Sequence, residues 1–235
     1  MIKNILVSLV IIALLVFAGY KVISRQSKAV DSELSKTNVT DNNNTKVETP
    51  TKNPNAFDVN LSSSSVLWKG AMVSGVKSHT GTIAIKSGEG IFENGMVKSA
   101  VLIFDMSSIK DKDGNTQLET HLKSDDFFNV EAYPEAKLTT ISVSTTTKVD
   151  VYNVKANLTI RDVTKEVQFP IGIKKADGIL TATGKVTFNR ADFNVKYGSK
   201  SFFKNLGDKV IKDEVEITVN IVTNSFEGAK SPSSI

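Results

Sequence analysis

Residues 117–134 (QLETHLKSDDFFNVEAYP) gather His121, Asp125, Asp126, Phe127, Phe128 and Tyr133 into one short stretch. The only other histidine of the chain is His79. Two imidazoles with a carboxylate such as Asp125 or Asp126 could bind zinc, and an enzyme could use either histidine with acidic neighbours. No metal-ligand spacing accompanies them, however, and a hydrogen-bonding histidine needs none. Asp111, Asp113 and Asn115 occupy the first, third and fifth positions of a calcium loop. The sixth residue is Thr116 where glycine belongs, and the twelfth is Leu122 where a bidentate Glu belongs, so an Asp/Gly/Asn turn fits better. Ser78-His79 lacks a nucleophile elbow. Gly88-Glu89-Gly90 has Glu93 in place of the third glycine of a dinucleotide loop. Adjacent carboxylates such as Asp125 and Asp126 point to different faces of a strand or helix. No constellation forms an active site, so the expectation is a non-enzymatic protein without metal or cofactor.

Composition narrows the partners. The 235 residues carry a net charge of +4 and no cysteine, which excludes disulfides, thiolate metal sites and a lipid-modified Cys. Residues 1–56 hold seven Lys/Arg against four acids, and the remainder 22 against 21. The folded part is nearly neutral and reads as free of any Lys/Arg cluster interleaved with aromatics, which argues against nucleic acid.

The elements that must position these residues are strands. Leu180, Ala182, Gly184, Val186 and Phe188 alternate with Thr181, Thr183, Lys185, Thr187 and Asn189, a period of two with one dry face. Tyr152 to Ile160, Val167 to Ile173 and Val215 to Ile221 do the same, and Ala100, Leu102, Phe104 and Met106 form another such face. Turn signals separate the runs at Glu93-Asn94-Gly95, at residues 112–115 and at Ala176-Asp177-Gly178. One dry face per strand and short turns predict an all-β fold, an extended antiparallel up-and-down barrel, with a two-sheet sandwich as the alternative. A single short helix is expected over residues 116–128.

Residues 5–20 are apolar apart from Ser8 and Gly19. As a helix they reach about 24 Å against a bilayer core of about 30 Å. Residues 1–23 therefore read as a signal peptide or an uncleaved anchor, and export is expected either way. Residues 24–56 are polar, with too few apolar side chains for a core, and read as a disordered linker. Residues 57–226 read as the barrel, and 227–235 as a frayed tail.

Arg190 continues the dry face of Leu180 to Phe188. A guanidinium aimed at an apolar interior must be paired or must meet a polar ligand group. The readings are an ion pair at a barrel mouth, with Asp192 as the suggested partner, and a headgroup contact. Phe127 and Phe128 either plug a barrel end or line a pocket mouth.

Four stretches resemble the YceI-like family, polyisoprenoid-binding lipocalin-like barrels of the bacterial envelope. His121-Leu122-Lys123-Ser124 with Asp126-Phe127-Phe128 and Tyr133-Pro134 is similar to its H-L-[KR]-S-x-x-F-F…Y-P signature. Residues 158–165 (LTIRDVTK) resemble its L-T-[IL]-[KR]-G-x-T-K run, with Asp162 at the usual glycine. Arg190-Ala191-Asp192-Phe193 resembles R-x-[DE]-[FWY], and residues 206–215 resemble the approach to the last strand. The resemblance covers about residues 57–223. It implies a periplasmic carrier of a long apolar ligand: a polyisoprenoid, an isoprenoid quinone or a fatty amphiphile. Barrels of this type often pair, so a homodimer is a candidate state; membrane attachment is expected from the apolar N-terminal segment itself. The ligand-binding residues that the resemblance implies are Trp68, His79, Leu102, Phe104, Met106, His121, Phe127, Phe128, Tyr133, Phe188, Arg190 and Phe193. Asp tolerates a left-handed conformation better than most residues, so the turn at Asp162 is expected to survive without the glycine.

Overall fold

The computed structural model describes residues 53–230. The leader and most of the linker expected over residues 1–56 lie outside the described residues. Among the described residues, no helix is long and apolar enough to cross a membrane.

Nine strands and one helix follow in chain order: β1 Ala56–Asp58, β2 Ser65–Ala71, β3 Ser78–Glu93, β4 Met96–Asp111, α1 Thr116–Lys123, β5 Glu135–Thr145, β6 Val151–Ile160, β7 Val163–Ala176, β8 Ile179–Asn189 and β9 Glu214–Val222. Each strand from β2 to β9 pairs antiparallel with its chain neighbour, and β9 returns to β2. The result is the expected up-and-down barrel, closed with eight strands. Closure leaves no barrel edge to template aggregation. The extra strand, β1, pairs with the far half of β3 (Asp58 opposite Glu89), while β2 pairs with the near half (Leu67 opposite Thr82). β1 and β2 thus run along the same side of β3, separated by the turn at residues 60–64.

The predicted alternation holds where strands are regular. Asn94 and Gly95 between β3 and β4, and Asp177 and Gly178 between β7 and β8, all have positive φ (52°, 75°, 52° and 78°). Two consecutive positive-φ residues make the turn whose twist matches its flanking strands. The β6–β7 turn survives without the glycine, with the left-handed position one residue earlier than Asp162. Arg161 takes the positive φ, 58°, rather than Asp162. Ile160 pairs with Val163, so the loop has two residues and its first position takes the left-handed conformation. The Arg161 guanidinium is tied down by Nη1 hydrogen bonds to the Phe127 and Asn194 carbonyls (3.2 and 3.1 Å).

α1 is shorter than expected. Asn115 caps it by accepting from the Leu118 N–H (3.0 Å), and it stops at Ser124, whose backbone is extended. Residues 125–128 continue as turns. At the other terminus, the tail does not fray from residue 227. Glu227–Ala229 form a short 3-10 turn, and Ala229 is buried against Phe57, Phe92 and Leu180.

Candidate functional site

The inward faces of the strands enclose a cavity of about 510 Å³. This lies within the range of small-molecule sites, and an eight-stranded barrel is wide enough to hold one ligand. Along β8 the lining runs from Leu180 through Ala182, Val186 and Phe188 to Arg190, a contour of about 33 Å at the usual strand rise. The hollow has a compositional cause. Gly70, Ala100, Ala136 and Ala182 stand at lining positions, where larger side chains would meet across the lumen. Trp68 is held at the wall by its indole N–H, which donates to the Lys110 carbonyl (3.1 Å), and its ring lies over Gly81. A Cβ on Gly81 would lie 2.6 Å from that ring.

The two ends of the cavity differ. At the turn-bearing end the lining residues Phe57, Leu180 and Thr223 are buried. Phe226 covers Phe57 and Phe92, with ring centroids 5.6 and 6.1 Å away. The exposed lining residues Lys77, Tyr197, Lys209 and Lys212 all belong to the helix-bearing end. The cavity therefore opens there.

Of the expected residues, nine line the cavity: Trp68, His79, Leu102, Phe104, Met106, Phe127, Phe128, Phe188 and Arg190. Three do not. Phe193 is 1% exposed and packs edge-on behind Phe188 (5.5 Å). Tyr133 lies in a separate cleft under the Arg161 guanidinium (5.6 Å). His121, on α1, is half-buried behind the lining residues Phe127 and Tyr197. Its Nε2 lies 3.1 Å from Asp126 Oδ2, and its ring meets Phe127 and Tyr197 edge-on at 5.0 and 4.6 Å.

Arg190 is 3% exposed, and its charge is satisfied by protein. Nε donates to the Lys212 carbonyl (3.0 Å), Nη1 to Val195 (2.9 Å) and Nη2 to Ile211 (3.3 Å). Its ion-pair partner is Asp213 at 3.3 Å, not Asp192. Burial lowers its pKa and Asp213 opposes that shift. The register predicts this partner. Asn189 lies opposite Glu214, so the next residue along meets Asp213. Arg190 thus clamps the segment over residues 195–213 to the end of β8.

His79 and Asp111 join the start of β3 to the end of β4 (Nδ1 to Oδ2, 3.2 Å). Asp111 is buried, which raises its pKa. Hydrogen bonds from the Asn115 and Asp113 N–H groups and from His79 outweigh burial, and the net shift is downward. The carboxylate proposed for calcium is therefore engaged by its own turn. Glu119, buried on α1 and not singled out by the sequence, accepts from Lys110 Nζ and from the Asp111 N–H (both 3.0 Å). The Lys110 bond, then the backbone bond, hold its pKa below the usual carboxylate value. Among the described residues, no three His, Asp or Glu side chains converge on a point. Each histidine has its own carboxylate.

The sequence reading also missed the basic rim. Residues 196–204 (KYGSKSFFK) do interleave lysines with aromatics. They lie beside the mouth, since the Ile211 N–H donates to the Gly198 carbonyl and Met72 bridges to Ile211.

Comparison with known proteins places this barrel. No match was found among curated protein sequences. Among solved structures, BcnA of Burkholderia cenocepacia is 22% identical, with 71% of this chain and all of that one covered and a TM-score of 0.57. A polyisoprenoid binding domain from Saccharophagus degradans, implicated in plant cell wall breakdown, is 13% identical, covers 72% of this chain and 98% of its own, and also scores 0.57. The YCEI protein of Campylobacter jejuni is 17% identical over 81% of this chain and 99% of its own, with a TM-score of 0.50. These likenesses concern the fold. The sequence model of the YceI-like domain matches residues 57–223, and the chain belongs to that family.

Proposed function

We propose that this protein is a non-enzymatic carrier or sequestrant of one long-chain apolar amphiphile at the bacterial envelope. The ligand class is a polyisoprenoid, an isoprenoid quinone or a fatty amphiphile. The observation that carries this reading is the continuous apolar cavity of about 510 Å³, open at the helix-bearing end. Each methylene transferred from water into such a lumen contributes about 0.8 kcal/mol, so a long chain binds through its tail alone. The few polar groups at Lys77, His79, Lys209 and Lys212 would fix the head. The Saccharophagus degradans domain, which shares the fold, is described as polyisoprenoid binding, and this supports the ligand class. Export follows from the leader-like residues 1–23, with the polar linker as a tether to the inner membrane if the leader is retained. A barrel of this kind could also pair as a homodimer.

Native mass spectrometry of the full chain, purified without detergent and then extracted with organic solvent, tests this reading. The expected result is one lipid per barrel, lost on extraction and regained with an added polyprenyl or fatty probe. A barrel that carries nothing and takes up neither probe would refute it.

A further inference from the structure

Residues 72–77 and 196–212 frame the mouth of the cavity. The Val73 N–H donates to the Val210 carbonyl and the Lys212 N–H to Ala71 (both 2.9 Å), so the two segments form one rim. This rim is unusual in two independent respects. It exposes apolar side chains: Val76 is 81% exposed and Phe203 47%, with Val73, Tyr197 and Phe202 also exposed. The two segments are also basic, with Lys77, Lys196, Lys200, Lys204, Lys209 and Lys212 against Asp208; Asp125, Asp126 and Asp162 share the adjoining cleft with Lys196 and Phe203, which leaves the lysines in excess. Lys196 Nζ lies 5.1 Å from the Phe202 ring centroid, so charge and aromatic surface are interleaved. Scattered exposed apolar residues need no explanation, but five of them on the two segments that frame a cavity mouth do.

We propose that this rim docks onto the surface of an anionic phospholipid bilayer, with Phe202, Phe203 and Val76 entering the headgroup region and the lysines meeting lipid phosphates. Aromatic side chains with basic neighbours form the pattern that seats a protein in a membrane interface. Lysine stems can lie along apolar surface while their amines stay at the headgroups. Docking in this pose places the only exposed part of the cavity lining against the bilayer, so an apolar chain passes from membrane to lumen without crossing water. Nucleic acid would also meet lysines and aromatics, but would leave the apolar Val73 and Val76 and the open apolar lumen without a role. The inference rests on the lumen being a lipid site, and it goes beyond that reading by naming a second contact, separate from residues 1–23.

The test uses the full chain with Phe203→Trp and, at the opposite end of the barrel, Val149→Trp, a residue 88% exposed between β5 and β6. Trp68, the one native tryptophan, is common to both variants. Vesicles of phosphatidylglycerol and phosphatidylcholine carrying brominated acyl chains report which tryptophan enters the bilayer. The expected result is strong quenching of Trp at 203, weakened by salt and by omission of phosphatidylglycerol, and none at 149. Combining Phe203→Trp with Lys196→Glu, Lys200→Glu and Lys204→Glu should weaken the docking by at least about a hundredfold. Equal quenching at both positions would mean that the N-terminal segment alone holds the protein at the membrane, which overturns docking. So would a Trp at 203 shielded instead by a second copy of the chain in sedimentation, or by an added oligonucleotide. Lipid retained in native mass spectra would survive any of these failures, so the two readings fail separately.

Discussion

The two ends of the barrel are built from the same strands and finished in opposite ways. At one end, two-residue turns at Asn94-Gly95 and Asp177-Gly178 close β3–β4 and β7–β8. The first and last described residues lace over this end: the Phe226 N–H donates to Gly178, the Gly228 N–H to Pro54, and the Phe92 N–H to Asn55. Phe57, Phe92, Phe226 and Ala229 complete a small second core there. At the other end, the connections over residues 112–134 and 190–213 are long; Phe127, Phe193 and Val195 pack them onto an apolar cluster, and polar clamps fasten them as well. Arg190 fastens one connection, and Glu119 with Asp111 fastens the other. Both ends are packed with apolar residues; what differs is that exposed lining residues stand only beside the long connections, and long surface connections are where function sits.

Phe57→Ala should break the sealed end with the largest loss. Removing a buried phenylalanine costs about 3–5 kcal/mol, read from urea unfolding, and the leak should also speed ligand loss. A change below about 1 kcal/mol would mean that the plug contributes little packing. Arg190→Met comes next, at about 3 kcal/mol. It leaves Asp213 and three carbonyls without their partner, and hydrogen exchange should quicken over residues 195–213 first. If Arg190→Met left stability intact and abolished only ligand binding, Arg190 would be a headgroup contact and not a clamp.

Ala182→Phe sharpens the comparison by filling the lumen and leaving both ends alone. Its cost to stability should be no more than about 1–3 kcal/mol, while lipid per barrel falls to near zero in native mass spectra. Unchanged lipid content would place the ligand elsewhere.

The smallest effect is acid loosening of the helix-bearing end. Asp111 and Glu119 titrate below their ordinary values of 3.8 and 4.5. Their contribution is fully present above those values and is lost as pH falls through the lower folded ones. Protection of α1 amides should therefore fall on acidification below about pH 4, ahead of the β7–β8 turn. Equal loss at both ends would separate these carboxylates from the stability of the mouth.

How far the sequence disclosed this asymmetry depended on regularity. β8 and β9 were legible because every second residue faces the lumen without interruption. The full lengths of β3 and β4 were not, because register shifts between Thr82 and Ala84 and between Ile85 and Ser87 break the period of two. The barrel followed from alternation, and so did Leu102, Phe104, Met106, Phe188 and Arg190 on its wall, while the HLKS…FF…YP resemblance pointed to Phe127 and Phe128. His121, Tyr133 and Phe193 lie off the cavity wall, because proximity in a motif does not say which way a side chain turns. Asp213 was passed over for Asp192 because a near neighbour in sequence looks like a partner until the β8–β9 register is known. The lysine–aromatic run over residues 196–204 was visible in the sequence; what the sequence lacked was the fold that sets it around a cavity mouth.

The claim at the centre of this comparison is that the lumen is entered and exited at one end only. A long-chain fatty acid spin-labelled beside its carboxylate, bound to isotopically labelled protein, tests it most directly. Paramagnetic broadening should fall on the amides of Lys77, Tyr197, Lys209 and Lys212 and should spare Asn94, Asp177 and Gly178. Broadening centred on those turns, or spread equally over both ends, would contradict a barrel sealed at one end and open at the other.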